Sequence, residues 1–286
     1  MFGSEIRDGT EPRVVVADDA IVVVWKPHRM HCAELEGDGG QSLSAWVFGH
    51  FPETAPSAFP PETGARGADG GLIHRLDFET AGLVLFARSP EARAAVRKSQ
   101  EDDRIRKTYR LGFVVVGEGL TGSSPLKGVP EGLDEAAWAA CLDEPRALAE
   151  TLGGATVRSR FRPYGPRGSK VACLGAPATS GKGRGRGSPD RFYRSSVLAV
   201  ETRDGAFAAT VELTRGFRHQ IRAHFAWIGL PLLGDFLYGG GPGPRLDLVA
   251  TGLAFEHPTT GLAVTVGDVG DPAAAGASIA HPPSLA

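Results

Sequence analysis

Residues 71–88, GLIHRLDFETAGLVLFAR, set His74, Arg75 and Asp77 between two apolar runs, Leu72-Ile73 and Leu83-Val84-Leu85-Phe86. Charge is costly to desolvate, so a carboxylate in that place needs a partner or a task. A second concentration of polar groups, Arg215, Arg218, His219 and Arg222, opens a segment whose Ile221, Phe225 and Ile228 recur at helical spacing. Cations at a helix N-terminus oppose the backbone dipole, so three arginines there point to an anion nearby. An arginine of this group is the expected partner of Asp77: opposite charge and charge-assisted hydrogen bonds favour the ionised form against burial. An ionised, partly desolvated carboxylate is a usable nucleophile. A structural ion pair fits the same residues. His219 and His224 are five apart and do not share a helical face, which argues against a metal pair.

Several elements must position these groups. Val14-Val15-Val16, the turn-like Asp18-Asp19 and Ile21 to Trp25 read as two strands in a hairpin, stopped by Lys26-Pro27. A Pro, Gly and Ala-rich loop over 53–70 leads to the Asp77 stretch. Ser89-Pro90-Glu91 combines a cap, a first-position proline and a first-turn acid, which predicts a helix of about three turns. In RKTYRLGFVVVG, the residues Tyr109, Leu111, Phe113 and Val115 alternate with Thr108, Arg110 and Gly112, which predicts a strand. SSVLAVE and AFAATVELT read as strands around the turn Arg203-Asp204-Gly205. The helix carrying Ile221 and Phe225 ends at Gly229, with Pro231 just beyond.

Composition places the chain among ordinary globular proteins: 286 residues, 42% hydrophobic, 22% charged, with a net charge of -2. The 39 Gly and 21 Pro predict long irregular connections. Cys32, Cys141 and Cys173 are too scattered for C-x-x-C chemistry, which points to a reducing compartment. MFGSEIRDGTEPR lacks the basic start and apolar stretch of a secretory signal, and no run approaches about 18 apolar residues, so no membrane span and a cytoplasmic location are expected. From about 117 to 190 the periodicity degrades and charge separates. Residues 118–150 hold seven acids against two bases, whereas 156–194 hold ten bases against the single acid Asp190. The tract reads either as a solvated Gly/Arg-rich insertion or as an arm that follows a nucleic-acid backbone.

Four blocks, in order, resemble the RluA family of RNA pseudouridine synthases. They are VVVADDAIVVVWKPHRMHC with its Lys-Pro, HRLDFETAGLVLFAR, RKTYRLGF with its Lys-x-Tyr, and HQIRAHFAWIGLPLLGDFLYGG. The resemblance implies an α+β fold: a mixed, mostly antiparallel sheet with packed helices, its active cleft crossing the sheet among Asp77, Tyr109 and Arg222. It implies one catalytic domain over 13–286 after a tail at 1–12, interrupted by the 117–190 insertion. Asp77 would be the catalytic aspartate, Arg222 its ion-pair partner, and Tyr109 the ring packed on the target base. Ile221 would line the pocket, and Arg75, Thr80, Lys107, Arg218 and His219 would contact base or RNA. The implied reaction cleaves a uridine's N-glycosidic bond, turns the uracil and reattaches it through C5, needing no cofactor or metal. The implied partner is ribosomal or transfer RNA, and the chain is expected to act as a monomer. The alternative on the same fold is a catalytically inactive RNA-binding or ribosome-assembly protein.

The pattern departs from the family at two places. Where the family has Thr-Gly-Arg-Thr before His-Gln-Ile-Arg, this chain has Arg215, Gly216, Phe217 and Arg218, so the expected arginine is Phe217. Ala81 stands where a serine is common, between Thr80 and Gly82.

Overall fold

The computed structural model describes residues 11–34, 41–59, 69–116, 128–175, 191–203, 206–241, 243–267 and 277–279. In chain order the elements are β1 (Arg13–Ala17), β2 (Ile21–Lys26), α1 (Leu43–His50), β3 (Ala81–Ala87), α2 (Pro90–Glu101), β4 (Arg106–Phe113), α3 (Glu135–Leu142) and α4 (Pro145–Leu152). They continue as β5 (Thr156–Tyr164), β6 (Lys170–Leu174), β7 (Tyr193–Arg203), β8 (Ala206–Leu213), α5 (Gln220–Trp227), β9 (Leu248–Glu256), β10 (Ala263–Gly267) and β11 (Ala277–Ile279). The chain forms two compact units, one of residues 2–107 with 249–286 and one of 108–248.

In the first unit β1 and β2 form the expected hairpin. Asp18 Oδ1 closes its turn by accepting from the amides of Ala20 and Ile21 at 2.8 and 2.9 Å. The unbroken apolar run of β2 and that of β3 pair antiparallel, Ile21 opposite Ala87 through Lys26 opposite Gly82, and every residue of both is buried. β3 also pairs parallel with β9, and β9 antiparallel with β10. Gly82 sits at the parallel contact with φ +124°, where a Cβ would run into the backbone of Ala250. α2 begins as its residues dictate: Ser89 Oγ accepts from the amide of Ala92, Pro90 follows, and Ala92 and Val96 join a core with Val23, Leu85, Ile105, Leu253 and Phe255.

In the second unit β5 pairs antiparallel with β6 and with β7, and β7 with β8, so the strand pairing here too is antiparallel. Tyr109, Leu111 and Phe113 of β4 are buried, as their alternation predicts. Phe113 stacks on Phe207 at 5.2 Å and meets Phe225 of α5 edge-on at 5.7 Å. All eight residues of α5 are buried, far more than its apolar stripe alone requires. The fold class is the α+β arrangement expected. The hairpin turn at 204–205, the tract 181–187 and the tail at 1–10 lie outside the described residues.

Within 117–190, residues 128–175 are regular: they form α3, α4, β5 and β6. Helical periodicity is absent from α3 because Trp138 is its one buried residue, the indole N–H donating to the Ile228 carbonyl at 2.9 Å. Both helices are capped, Asp134 accepting from the amide of Ala137 and Glu144 from that of Ala147, and α4 also buries Leu148 and Leu152 at i, i+4. Among the described residues no helix is long and apolar enough to cross a membrane.

Candidate active site

Asp77 is half-buried, and the peptide on each side of it is tied down. Before it, the Leu76 amide donates to Cys32 Sγ at 3.1 Å and the Cys32 thiol donates back to the Leu76 carbonyl at 3.4 Å. After it, the Phe78 carbonyl accepts from Lys26 Nζ at 3.3 Å. The other donors of Lys26 reach the carbonyls of Pro27 and Met30, each at 2.9 Å. The Asp77 carbonyl accepts from the Thr80 amide at 3.1 Å, closing a four-residue turn. Lys26 is fully buried, and burial lowers its pKa to about 8, opposed by Cys32, Asp77 and Glu79. At neutral pH a buried ammonium therefore stands beside the aspartate loop, close enough for the Asp77 charge to act on it. This answers part of why the chain tolerates Asp77 between apolar strands.

The neighbours of Asp77 divide by burial. His74 is buried, its Nε2 accepts from the Leu85 amide at 3.3 Å, and burial with the nearby Lys107 charge lowers its pKa to about 3, so the ring is neutral. Lys107 is itself buried, with its pKa lowered to about 8 by desolvation. Thr80 is buried, whereas Arg75 is exposed and pairs with Asp69.

In the second unit, Arg222 reaches from α5 to Asp235 with two parallel bonds, Nε to Oδ2 and Nη2 to Oδ1, both 2.8 Å. The pair is nearly dry, with side-chain exposures of 8% and 0%. Asp235 Oδ1 also accepts from the amides of Leu237 and Tyr238 at 3.1 and 3.2 Å. The Tyr238 ring lies 5.3 Å from the Arg222 guanidinium, and its hydroxyl accepts from the Val171 amide at 2.8 Å and bonds His219 Nδ1 at 3.0 Å. The crowded start of this helix calls for an anion, and for Arg222 the chain itself supplies one in Asp235. Arg218 is exposed and donates to the carbonyls of Gly168 and Lys170. Ile221 and Tyr109 are buried, at 3% and 8% exposure. His224, fully buried between Ser159 Oγ at 2.9 Å and Ser195 Oγ at 2.8 Å, is held neutral, its pKa lowered to about 3 by burial.

Phe217, at the family's arginine position, does not reach outward as a cation would. Its ring stacks on Phe161 at 5.0 Å and lies 5.1 Å from Tyr193, while its amide donates to Gln220 Oε1 at 2.9 Å. Sequence reasoning misses Lys26, Cys32, Asp235 and Tyr238. A signal exists for Asp235, an acid set in the apolar run GLPLLGDFLYGG, the same feature that marks Asp77.

These features define an α+β protein that presents a held carboxylate and a carboxylate-anchored arginine, with no metal-ligand cluster among the described residues. The family model described as RNA pseudouridylate synthase matches residues 20–227, and the chain belongs to that family. It is 27% identical over 265 residues to "Ribosomal large subunit pseudouridine synthase D" of Haemophilus ducreyi, covering 87% of this chain and 64% of that one. It is 29% identical over 198 residues to "RNA pseudouridine synthase 2, chloroplastic" of Arabidopsis thaliana, covering 68% of this chain and 36% of that one. The chain thus spans less than two thirds of the length of these two relatives. The structure "Human RNA Pseudouridylate Synthase Domain Containing 1" aligns with a TM-score of 0.55 at 16% identity, covering 96% of this chain and 91% of that one, which bears on fold alone.

Proposed function

We propose that this chain isomerises a uridine of ribosomal or transfer RNA to pseudouridine. The observation that carries the reading is the Asp77 loop, fastened on both sides by Cys32 and Lys26, in a chain of the RNA pseudouridylate synthase family. In the reaction the bond from the ribose to uracil N1 breaks, the uracil turns, and a bond from the ribose to C5 forms. The C5 proton leaves and N1 gains one, so substrate and product are isomers and no cofactor is consumed. Asp77 acts as the catalytic carboxylate, pre-fixed by its loop so that little ordering remains at the moment of reaction. Tyr109 is the ring on which the extracted uracil packs, a contact of about 1–3 kcal/mol. Arg222 takes part as a guanidinium already oriented by Asp235, and Ile221 lines the pocket. Arg75, Thr80, Lys107, Arg218 and His219 contact base or RNA. Residues 13–286 act as one catalytic domain, as a monomer in the cytoplasm.

Phe217 favours a second reading, an inert RNA-binding or ribosome-assembly protein, because a stacked ring replaces a cation. Retention of Asp77, Tyr109 and Arg222 weighs more heavily. Mapping pseudouridines in total RNA from cells with and without this gene decides between them: one or more sites should vanish on deletion and return with the wild-type gene. An unchanged map would refute the catalytic reading.

A further inference from the structure

Arg158, Arg160 and Arg162 occupy every second position of β5. Residues so spaced in a strand project from one face, and two observations fix which face it is. Val157 and Ser159 are buried, with Ser159 bonded to His224, so the opposite face is the one turned to α5. The guanidinium carbons of Arg158 and Arg160 lie 3.9 and 5.7 Å from the centroid of the same ring, Phe192. From β7, Arg194 joins them directly opposite Arg158. Like charges facing each other across a strand pair are destabilising. Glu131 bridges the opposed pair, Oε1 3.2 Å from Arg158 Nη1 and Oε2 3.8 Å from Arg194 Nε, so one carboxylate serves two guanidinium groups. The patch is open to solvent at Arg194, 61% exposed, and at Arg162, while Arg158, 36% exposed, and Arg160 are half-buried, with Arg160 Nη2 donating to the Gly175 carbonyl at 3.4 Å.

We infer that this face of β5 and β7 is a binding surface for the phosphodiester backbone of a single-stranded RNA segment outside the catalytic pocket. The inference rests on the reading that the chain acts on RNA. Two residues of strand advance about 6.7 Å, comparable with the step between successive phosphates of an extended strand, so the three β5 arginines form a ladder in register with consecutive phosphates. The planar guanidinium fork suits phosphate oxygens in pairs. Stacking on Phe192 restrains the Arg158 and Arg160 heads in advance, which lowers the ordering cost on binding. Phosphate contacts carry no sequence information, so the surface adds affinity and orientation and leaves the choice of uridine to the pocket.

The test is the salt dependence of binding to an unstructured RNA oligonucleotide, followed by fluorescence anisotropy. The triple variant Arg158→Gln, Arg160→Gln, Arg162→Gln should bind more weakly, with a log-log salt slope shallower by about 2, at roughly 0.7 for each phosphate no longer neutralised. The same three positions changed to Lys should keep a slope near that of the wild type. Glu131→Gln, which removes the competing carboxylate, should bind the oligonucleotide more tightly, a gain that misfolding does not produce. An unchanged slope in the glutamine variant overturns the inference, as does a Lys variant as shallow as the Gln one. Binding of polyglutamate in preference to RNA would reassign the face to an acidic protein partner and overturn it too. Pseudouridine formation by the wild type is scored separately: activity with an unchanged slope sinks the ladder alone, and a shallower slope without wild-type activity sinks the catalytic reading alone.

Discussion

Asp235→Ala should be among the most damaging single substitutions in the second unit. The carboxylate is fully buried, receives both guanidinium bonds of Arg222 at 2.8 Å, and accepts two backbone amides besides. Removing one partner of a buried pair leaves the other charge without its countercharge and costs about 3–5 kcal/mol, two to nearly four powers of ten in the unfolding constant at about 1.4 kcal/mol per tenfold. With a urea dependence near 2 kcal/mol per molar, the unfolding midpoint should fall by about 1.5–2.5 M. Intrinsic fluorescence reports the transition, because Trp138 and Trp227 of the same unit are buried. The double variant Arg222→Met, Asp235→Leu should recover part of the loss, since an apolar pair of similar volume carries no desolvation penalty while the amides of Leu237 and Tyr238 still lack their acceptor, and it should form no pseudouridine. A loss below about 1 kcal/mol in Asp235→Ala, the worth of an exposed pair, would refute the reasoning.

Three further outcomes follow from the geometry. Lys26→Met removes the donor shared by the Pro27, Met30 and Phe78 carbonyls; it should cost at least the roughly 1.5–3 kcal/mol of one charge-assisted bond and lower turnover, and a variant with wild-type stability and rate would contradict the clamp. The folded His224 has its pKa lowered to about 3, below the ordinary 6.5, so the unfolded chain takes up that proton first; the contribution is whole above about pH 6.5 and is lost as pH falls toward 3. His224→Gln should therefore show a shallower loss of stability with acid than the wild type, and superimposable profiles would refute it. Of the three cysteines, Cys141 is half-buried while Cys32 and Cys173 are buried with thiol pKa values raised by burial; a thiol reagent on the native protein should titrate Cys141 fast and the other two only on unfolding, so two fast thiols would contradict this packing.

Legibility in the sequence follows the strength of local signals. Ser89-Pro90-Glu91 announces α2 because capping chemistry is local, and the alternation around Tyr109 announces β4 because one side of the strand is buried and the other is not. α3 is silent because it buries Trp138 alone, whereas α4 does carry a helical signal, Leu148 and Leu152 at i, i+4 behind Glu144-Pro145, in a helix of only eight residues that the reading of the tract as an irregular insertion passes over. At the site, Asp77 is visible as a charge in an apolar frame, but its fastening is not, since Cys32 and Lys26 act through backbone atoms of residues more than forty positions away. Side chains that bond carbonyls and amides leave no complementary residue type to search for. Asp235 is hidden differently: Arg222 is thirteen positions before it, and the pairing across the intervening turn depends on Leu237 and Tyr238 amides that no composition reveals.

The central claim is tested most directly by tritium release from RNA transcribed with 5-tritiated uridine, because attachment of the ribose to C5 expels the hydrogen carried there. Ribosomal and transfer RNAs lacking modification would be incubated with the wild-type chain and with Asp77→Asn, which keeps the shape of the side chain and removes its charge. The wild type should release tritium from one of the two RNA classes, and Asp77→Asn should bind that RNA while releasing none above background. Release by Asp77→Asn at a rate near that of the wild type would contradict the assignment of the chemistry to this carboxylate.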